Sequence, residues 1–204
     1  MNVDWIFLDM GSTIVSEEIP CKDRIAKIAA AAGVSPREIE KKAIELSKAN
    51  LAGVRAAAEA YGVPVPAWRK DLEELYPTVP ETLAKLRAKG YHLGIIANQM
   101  PGSVDRLTKW GVLDFFEVVL ASAEEGLEKP DERIFCRALQ RANCPPERAA
   151  MVGDRLDNDV APAKRLGMKT VWIRQELFGL GSPACPEQQP DATIDRIEQL
   201  ADLF

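Results

Sequence analysis

Carboxylates follow two short apolar runs of this 204-residue sequence. The run WIFL leads directly into Asp9, and the run AAMV leads into GDRLDND, residues 153–159, which begins with Gly153-Asp154 and ends at Asp159. Carboxylates in such places act as nucleophiles or as ligands of Mg²⁺, which takes one or two of them and keeps water and substrate phosphate besides. Asp9 and Asp154 would supply these ligands if their strands are neighbours. Helix capping is the alternative, and it explains Asp157 but not Asp154.

Three further places offer groups suited to an anionic ligand. Lys129 is held in an extended conformation by the proline that follows it, and there it would act as a point cation beside carboxylates and phosphate. Asn98 ends the apolar run LGIIA, so its amide reaches the same region. The turn Gly11-Ser12-Thr13 offers backbone N–H groups for phosphate oxygens. Each feature alone is ordinary for a surface or a turn, but together they predict a polar site.

The elements that must position these groups alternate between strands and helices. Short apolar runs with little alternation predict strands that are covered on both faces, at residues 3–8, 92–97, 117–120, 149–152 and 169–173, with a weaker one at 192–194. Helices lie between them: Pro80 begins one that stops at Gly90, another ends at Trp110, Asp131 opens a third, and a fourth ends at Leu166. This order predicts an α/β fold with a doubly wound, mostly parallel sheet. The carboxyl ends of such strands form the ligand crevice.

Residues 16–78 interrupt this alternation. A helix is predicted over 22–32, the capping box Ser35-Pro36-Arg37-Glu38 opens a long helix towards residue 61, and a short helix follows near 68–76. No strand is predicted in this segment. We therefore expect a helical cap subdomain at 16–78, inserted into a core domain made of 1–15 and 79–204.

Composition and charge exclude several classes of function. The net charge of −5 argues against a nucleic-acid or anionic-membrane surface, and no apolar run approaches the length of a membrane span. The four cysteines are far apart and lack metal-ligand spacing. The amino terminus has no basic region of the kind that opens a signal peptide, so we expect a cytoplasmic protein. The oligomeric state, monomer or homodimer, stays open.

The motifs resemble those of the haloacid dehalogenase superfamily. The resemblance rests on FLDMGST, LGIIANQ, EKPDERIF and VGDRLDNDV, which occur in the family order and at family-like spacing. It covers the whole predicted core, and the helical insertion is similar to the cap that the family places between its first and second motifs. The resemblance implies a Rossmann-like fold and, for most members, a Mg²⁺-dependent phosphohydrolase.

The resemblance also implies roles for individual residues. Asp9 would attack phosphorus and form an aspartyl-phosphate, and Lys129 would hold nucleophile and phosphate in place. The carboxylates of Asp9 and Asp154 and the carbonyl of Gly11 would bind Mg²⁺, with Asp159 in support. Gly11, Ser12, Asn98 and Lys129 would contact the phosphate of a small phosphorylated metabolite.

Two positions depart from the family pattern. The residue two places after the nucleophile is usually an aspartate that acts as general acid and base, but here it is Gly11. The second motif usually ends in Ser or Thr, but here it ends in Ala97, followed by Asn98. General acid-base help contributes about 10²–10⁴ to a rate, so its loss predicts slow turnover of alkyl phosphates. A substrate with a good leaving group would need that help less.

These departures keep other functions open. A phosphometabolite- or partner-binding module with little turnover would retain the metal site. Dehalogenase-like chemistry attacks carbon without Mg²⁺, and phosphonatase-like chemistry uses a cap lysine as a Schiff base. The cap lysines that would qualify are Lys22, Lys27, Lys41, Lys42, Lys48 and Lys70.

Overall fold

The computed structural model describes residues 1–204. Its strands are β1 (Trp5–Leu8), β2 (Val15–Ser16), β3 (Glu74–Leu75), β4 (His92–Ala97), β5 (Val118–Ala121), β6 (Ala149–Gly153), β7 (Lys169–Ile173) and β8 (Ala192–Ile194). Its helices are α1 (Glu18–Ala32), α2 (Pro36–Lys48), α3 (Gly53–Ala60), α4 (Val79–Ala88), α5 (Ser103–Lys109), α6 (Ser122–Glu125), α7 (Glu132–Ala142), α8 (Ala161–Arg165) and α9 (Leu200–Leu203). No helix is both long and apolar enough to cross a membrane.

Six strands form one parallel sheet in the order β5-β4-β1-β6-β7-β8. β1 pairs with β4 on one side and with β6 on the other, and all its pairings are parallel. Two separate apolar clusters of buried side chains lie against the sheet, one containing Ile6 and Leu8 and the other Phe7. Because consecutive side chains of β1 enter different clusters, both faces of the sheet are covered, as the unalternating runs predict. The predicted α/β class is confirmed.

The strand order places the polar groups together. The three central neighbours β4, β1 and β6 end at their carboxyl edges just before Asn98, Asp9 and Asp154. Parallel strands end at the same edge of a sheet, so these residues share one crevice. The predicted strands at 92–97, 169–173 and 192–194 coincide with β4, β7 and β8, and the others differ at their ends by at most two residues.

Helices α1, α2 and α3 enclose an apolar cluster of their own. The capping box is present: the Ser35 hydroxyl accepts from the Glu38 N–H and the Glu38 carboxylate accepts from the Ser35 N–H. The single long helix predicted from 36 towards 61 is wrong, because the chain breaks into α2 and α3. Asn50 adopts φ 61° between them, a left-handed conformation that ends helices and that asparagine tolerates. Its side chain is held by the backbone of Ser182.

The prediction of a helix near 68–76, with no strand in the segment, is also wrong. A 3₁₀ turn, Lys70–Leu72, precedes β3, and β3 pairs antiparallel with β2. β2 and β3 are the segments through which the chain leaves the core after β1 and returns before α4. Two strands of two residues carry no readable periodicity, so this ribbon follows only from the two segments lying side by side.

A buried ion pair ties the returning segment to the core. Glu73 is 7% exposed, and one of its carboxylate oxygens lies 2.6 Å from Nη1 of Arg106 in α5. The other oxygen accepts a hydrogen bond of 2.7 Å from Nε1 of Trp68. Glu73 therefore contacts Trp68, in the segment 16–78, and Arg106, in α5, at once.

Removing this carboxylate should destabilise the protein, because the Arg106 guanidinium would be left buried with fewer partners. We expect Glu73→Ala to lower the free energy of unfolding by about 3 kcal/mol, measured by urea denaturation. Asp71→Ala is the matched control: its ion pair with Arg69 is exposed to solvent, so its loss should change the free energy of unfolding much less than the loss of Glu73. Equal losses for the two variants would contradict the assignment of Glu73 as the tie.

Candidate active site

Three aspartates converge at the carboxyl edge of the sheet. Asp9 follows β1, Asp154 follows β6, and Asp159 lies on a single π-helical turn, Leu156–Val160. One carboxylate oxygen from each lies within 4.8 Å of the others. The structure thus brings together the nucleophile, the metal ligand and the supporting carboxylate that the sequence predicts, although residues 9 and 154 are far apart in the chain.

Lys129 is the cation among these carboxylates. Its Nζ lies 2.7 Å from Oδ1 of Asp9 and 2.6 Å from Oδ1 of Asp159, and the residue is 4% exposed. Burial alone would lower the pKa of Lys129, but the carboxylates of Asp159 and Asp9 outweigh it and hold that pKa above its ordinary value. The ammonium therefore stays charged and fixes the orientation of the Asp9 carboxylate.

Asn98 holds the backbone of Lys129. Its Nδ2 donates to the Lys129 carbonyl at 2.8 Å, and its Oδ1 accepts from the Lys129 N–H at 2.7 Å. The sequence predicts that the Asn98 side-chain amide contacts the phosphate of the substrate. The structure uses both ends of the amide on Lys129 instead, which makes Asn98 a positioning residue and leaves one amide hydrogen for a ligand.

Gly153 permits the close approach of Asp159. A Cβ atom at position 153 would lie 2.3 Å from Cγ of Asp159, which is an overlap. The Asp159 carboxylate also accepts a bond of 3.0 Å from the Arg155 N–H. Asp159 is therefore locked beside Lys129 by its own loop, in line with the supporting role expected of it.

The Asp154 carboxylate has no partner of its own. Asp154 is 2% exposed, yet its side chain takes part in no hydrogen bond or ion pair. Burial, and then the negative charges of Asp9 and Asp159, hold the pKa of Asp154 well above its usual range. An unpaired carboxylate beside two others that share one ammonium is the arrangement that a divalent cation completes. The Gly11 carbonyl also accepts no backbone hydrogen bond of the loop. The donor set fits Mg²⁺.

The turn after Asp9 differs from its prediction at Ser12. The Ser12 N–H donates to the Val15 carbonyl at 2.8 Å, and its hydroxyl donates to Glu176 at 2.9 Å. Neither donor is free for phosphate. The N–H groups of Met10 and Gly11 donate to no backbone acceptor, so they are the ones that remain available.

Glu17 fills the space beside Gly11. A Cβ atom at position 11 would lie 2.4 Å from Oε1 of Glu17, so the glutamate carboxyl stands where the side chain of residue 11 would begin. The Glu17 carboxyl lies 3.4 Å from the Ser12 hydroxyl, whose proton is donated to Glu176, and no cation pairs with it. Burial, then the charges of Asp9 and Glu176, raise the pKa of Glu17 to about 8. Sequence reading missed this residue, because its position in the chain gives no sign of where its carboxyl lies.

Glu176 binds the segments around the site together. It lies on the loop after β7, and its carboxylate accepts from the hydroxyls of Ser16 at 2.8 Å and Tyr76 at 2.6 Å, and from the Glu17 N–H at 3.0 Å. With Ser12 as a fourth partner, one carboxylate holds the Asp9 turn and both ends of the cap segment. Sequence reading treated 175–190 only as a loop.

Two adjoining cavities open at this crevice. The smaller, of about 160 Å³, is lined by Asp9, Gly11, Lys129, Asp154 and Asp159 among others. The larger, of about 390 Å³, lies under the helical segment and is lined in part by Arg24 and Trp68. Glu17 and Asn98 line both cavities, so the two lie side by side. The pair suits a small molecule with one polar end at Asp9.

The raised pKa of Glu17 makes a stability prediction for the metal-free protein. Between pH of about 4.5 and about 8 the folded chain binds a proton on Glu17 that the unfolded chain does not, so this group lowers stability as pH rises through that window. We expect Glu17→Gln to gain stability over the parent protein from pH 5 to pH 8, by at most about 1.4 kcal/mol per pH unit. Urea unfolding with a chelator present measures this, with exposed Glu18→Gln as the control. A difference independent of pH would contradict it.

Comparisons with known proteins identify the family of this chain. A family model described as haloacid dehalogenase-like hydrolase matches residues 3–167. The glyceraldehyde 3-phosphate phosphatase of Methanopyrus kandleri is 40% identical over 129 residues, which cover 63% of this chain and 55% of that protein. The phosphoserine phosphatase of Thermus thermophilus is 35% identical over 127 residues, 62% of this chain and 49% of that protein. The chain spans about half the length of these curated relatives.

The likeness to solved structures extends over the whole chain. A HAD phosphatase from Thermococcus onnurineus shares 25% identity and a TM-score of 0.65, and the match covers 100% of this chain and 97% of that one. The family match takes in β1, β4 and β6 and every residue of the acidic crevice. By that match, this chain belongs to the haloacid dehalogenase-like hydrolase family.

Proposed function

We propose that this chain is a Mg²⁺-dependent phosphatase of a small phosphorylated metabolite, with Asp9 as the nucleophile. The observation that carries the proposal is the Asp9 carboxylate, held 2.7 Å from Lys129 beside the unpartnered Asp154 carboxylate. Curated relatives are named as phosphatases of glyceraldehyde 3-phosphate, phosphoserine and ribulose 1,5-bisphosphate. Those compounds share a phosphate on a small skeleton, and we extend no more than that to this chain.

The residues that would hold the metal are the ones predicted from sequence. The carboxylates of Asp9 and Asp154 and the carbonyl of Gly11 would bind Mg²⁺, with Asp159 supporting them through Lys129. Bound there, the ion would supply positive charge to the phosphate and its transition state. The N–H of Gly11 and the ammonium of Lys129 are the phosphate donors that we propose from this chain.

The reaction proceeds in two displacements at phosphorus. A carboxylate oxygen of Asp9 forms a bond to phosphorus while the bond to the substrate oxygen breaks, and that oxygen takes up a proton. Water then attacks the aspartyl-phosphate, loses a proton and releases inorganic phosphate with the Asp9 carboxylate restored. Lys129 offsets the negative charge throughout, so catalysis rests mainly on positioning and charge.

Glu17 is our candidate for the group that exchanges these protons. Its carboxyl occupies the space that a side chain at position 11 would enter, and it lines both the Asp9 cavity and the larger one. It is committed to no cation, so it is free to give a proton to the leaving oxygen and to take one from water. On this proposal the Glu17 carboxyl takes the role of the aspartate that the family motif usually has at position 11.

We also infer that residues 16–78 act as the cap over this crevice. The segment encloses its own apolar cluster and supplies residues such as Arg24 and Trp68 to the larger cavity. Its two ends meet in the β2–β3 ribbon, and both contact Glu176. The core on this proposal is 1–15 and 79–204.

The alternatives receive less support from the site. Asp154 has no structural partner, which favours metal-dependent chemistry over the metal-free attack on carbon. None of the cap lysines that a phosphonatase-like Schiff base would need lines either cavity. The non-catalytic binding module remains the competing proposal, and measured turnover distinguishes it from a phosphatase.

Removal of the nucleophile is the direct test. Purified protein with Mg²⁺ should release inorganic phosphate from a panel of small phosphomonoesters, and a chelator should abolish the release. Asp9→Asn should lower kcat by at least about 10³, since it removes the attacking carboxylate. Asp131→Asn is the matched control, because Asp131 lines neither cavity; it caps α7, as asparagine also does, and pairs with the exposed Arg133. No turnover on any substrate, or an unchanged rate in Asp9→Asn, would contradict the phosphatase proposal. The proposal of a non-catalytic binding module would then stand.

The role of Glu17 has a separate signature. Glu17→Gln should lower kcat on an alkyl phosphate by about 10²–10³ but change hydrolysis of p-nitrophenyl phosphate much less, because a good leaving group needs no proton. Glu18→Gln, at an exposed neighbour, should change neither rate.

Gly11→Asp provides the complementary variant. Its new side chain overlaps Glu17 in the folded chain, so we expect little gain from Gly11→Asp alone. In a Glu17→Ala background the same change should restore the rate on alkyl phosphates. Equal losses on both substrate types in Glu17→Gln would argue against proton transfer by this residue.

A further inference from the structure

Arg24 is a cavity-lining arginine without a carboxylate. It lies on α1, is half-buried, and pairs with no acidic side chain within 4 Å. Its Nε is buried and makes no hydrogen bond. A guanidinium has five donors, and leaving a buried one unsatisfied costs free energy. Burial accordingly lowers the pKa of Arg24, which is the direction expected of an uncompensated cation.

The position of this arginine is built by its neighbours. The Arg24 guanidinium lies 4.6 Å from the centroid of the Trp68 ring. Trp68 is held by its hydrogen bond to Glu73, and Glu73 is held by the ion pair with Arg106. The Trp68 ring that contacts Arg24 is therefore linked through Glu73 to Arg106 in α5. Such a cation–π platform orients a guanidinium while leaving its hydrogen-bonding edge unused.

The cavity places that edge within reach of a substrate. Arg24 lines the larger cavity, which adjoins the smaller one around Asp9 and shares Glu17 and Asn98 with it. Arg55 also lines the larger cavity, but its guanidinium is paired with Glu59. Arg155 is likewise committed, to Asp157. Of the three arginines on the cavity wall, Arg24 is the one that pairs with no acidic side chain.

We propose that Arg24 binds a second anionic group of the substrate, a carboxylate or a second phosphate, so that the enzyme prefers small phosphomonoesters with two anionic ends. This inference rests on the proposed phosphatase function, since it takes the reacting phosphate to lie at Asp9. The second anion would complete the hydrogen bonds that Arg24 lacks, and a planar guanidinium matches either group in a bidentate manner. The Asp9 crevice would hold one end of the molecule and Arg24 the other.

Matched substrate pairs test the preference. Each pair differs in the second anionic group: 3-phosphoglycerate against glycerol 3-phosphate, phosphoserine against phosphoethanolamine, and ribulose 1,5-bisphosphate against ribulose 5-phosphate. The first two pairs test a carboxylate and the third tests a phosphate. For at least one pair we expect kcat/KM to favour the doubly anionic member about ten- to a hundredfold, as a charge-assisted bidentate bond allows.

Variants of Arg24 assign that preference to the residue. Arg24→Gln should bring the ratio within a pair close to one, mainly through KM of the doubly anionic member, with the singly anionic member within about threefold of the parent value. Arg24→Lys should keep part of the preference. Arg55→Gln is the control on the same cavity wall and should leave the ratio unchanged. A ratio near one in the parent protein, or equal losses on both members in Arg24→Gln, would overturn the proposal.

A binding measurement separates this inference from the phosphatase itself. Calorimetry on Asp9→Asn with the same pairs reads affinity without turnover, and the doubly anionic member should bind more tightly than its partner. Adding Arg24→Gln to that protein should remove the difference. Preference in binding with no hydrolysis by the parent protein would uphold the Arg24 site and reject the phosphatase. Hydrolysis by the parent protein with no preference in binding would uphold the phosphatase and reject the Arg24 site.

Discussion

The balance of charge at the carboxyl edge of the sheet is the constraint on which the rest of this structure depends. Three buried aspartates, Asp9, Asp154 and Asp159, converge there, and the ammonium of Lys129 pairs with Asp9 and Asp159 only. Carboxylates taken out of water are costly unless each is compensated, and here one of the three is not. The parallel sheet enforces this crowding, since it delivers β1 and β6 side by side. A cation at the site would relieve the crowding. Burial, and then the negative charges of Asp9 and Glu176, raise the pKa of the neighbouring Glu17 carboxyl.

Much of the surrounding structure serves to hold this crowded edge in one arrangement. The side-chain amide of Asn98 makes two hydrogen bonds with the backbone of Lys129. Gly153 has no Cβ atom, and the Asp159 carboxylate lies in the space that a Cβ would need. Glu176 gathers donors from the Asp9 turn and from both ends of the cap segment. These contacts fix charged groups that would otherwise repel one another. They also link residues 16–78 to the turn after Asp9.

Particular residues show where prediction from sequence succeeds and fails. The strands leading to Asp9 and Asp154 were predictable because buried parallel strands have a strong apolar signal and end in polar residues. The break at Asn50 was not, because its left-handed conformation depends on contact with Ser182, far away in the chain. The β2–β3 ribbon is too short to have a period. At Ser12 the predicted phosphate contact fails for a similar reason, since its hydroxyl bonds to a distant glutamate.

The sequence by itself determined the class of fold and which strands are followed by polar residues. It also determined which acidic and basic residues meet at the carboxyl edge of the sheet. Those features follow from local patterns of apolar runs, breaks and motif spacing. Only the tertiary structure decided that the Glu17 carboxyl lies in the space beside Gly11. It also decided that the Arg24 guanidinium contacts the Trp68 ring and has no carboxylate partner. Such facts depend on how loops and helices far apart in the chain approach one another. Spacing along a chain records no distance in space where the path between two residues is irregular.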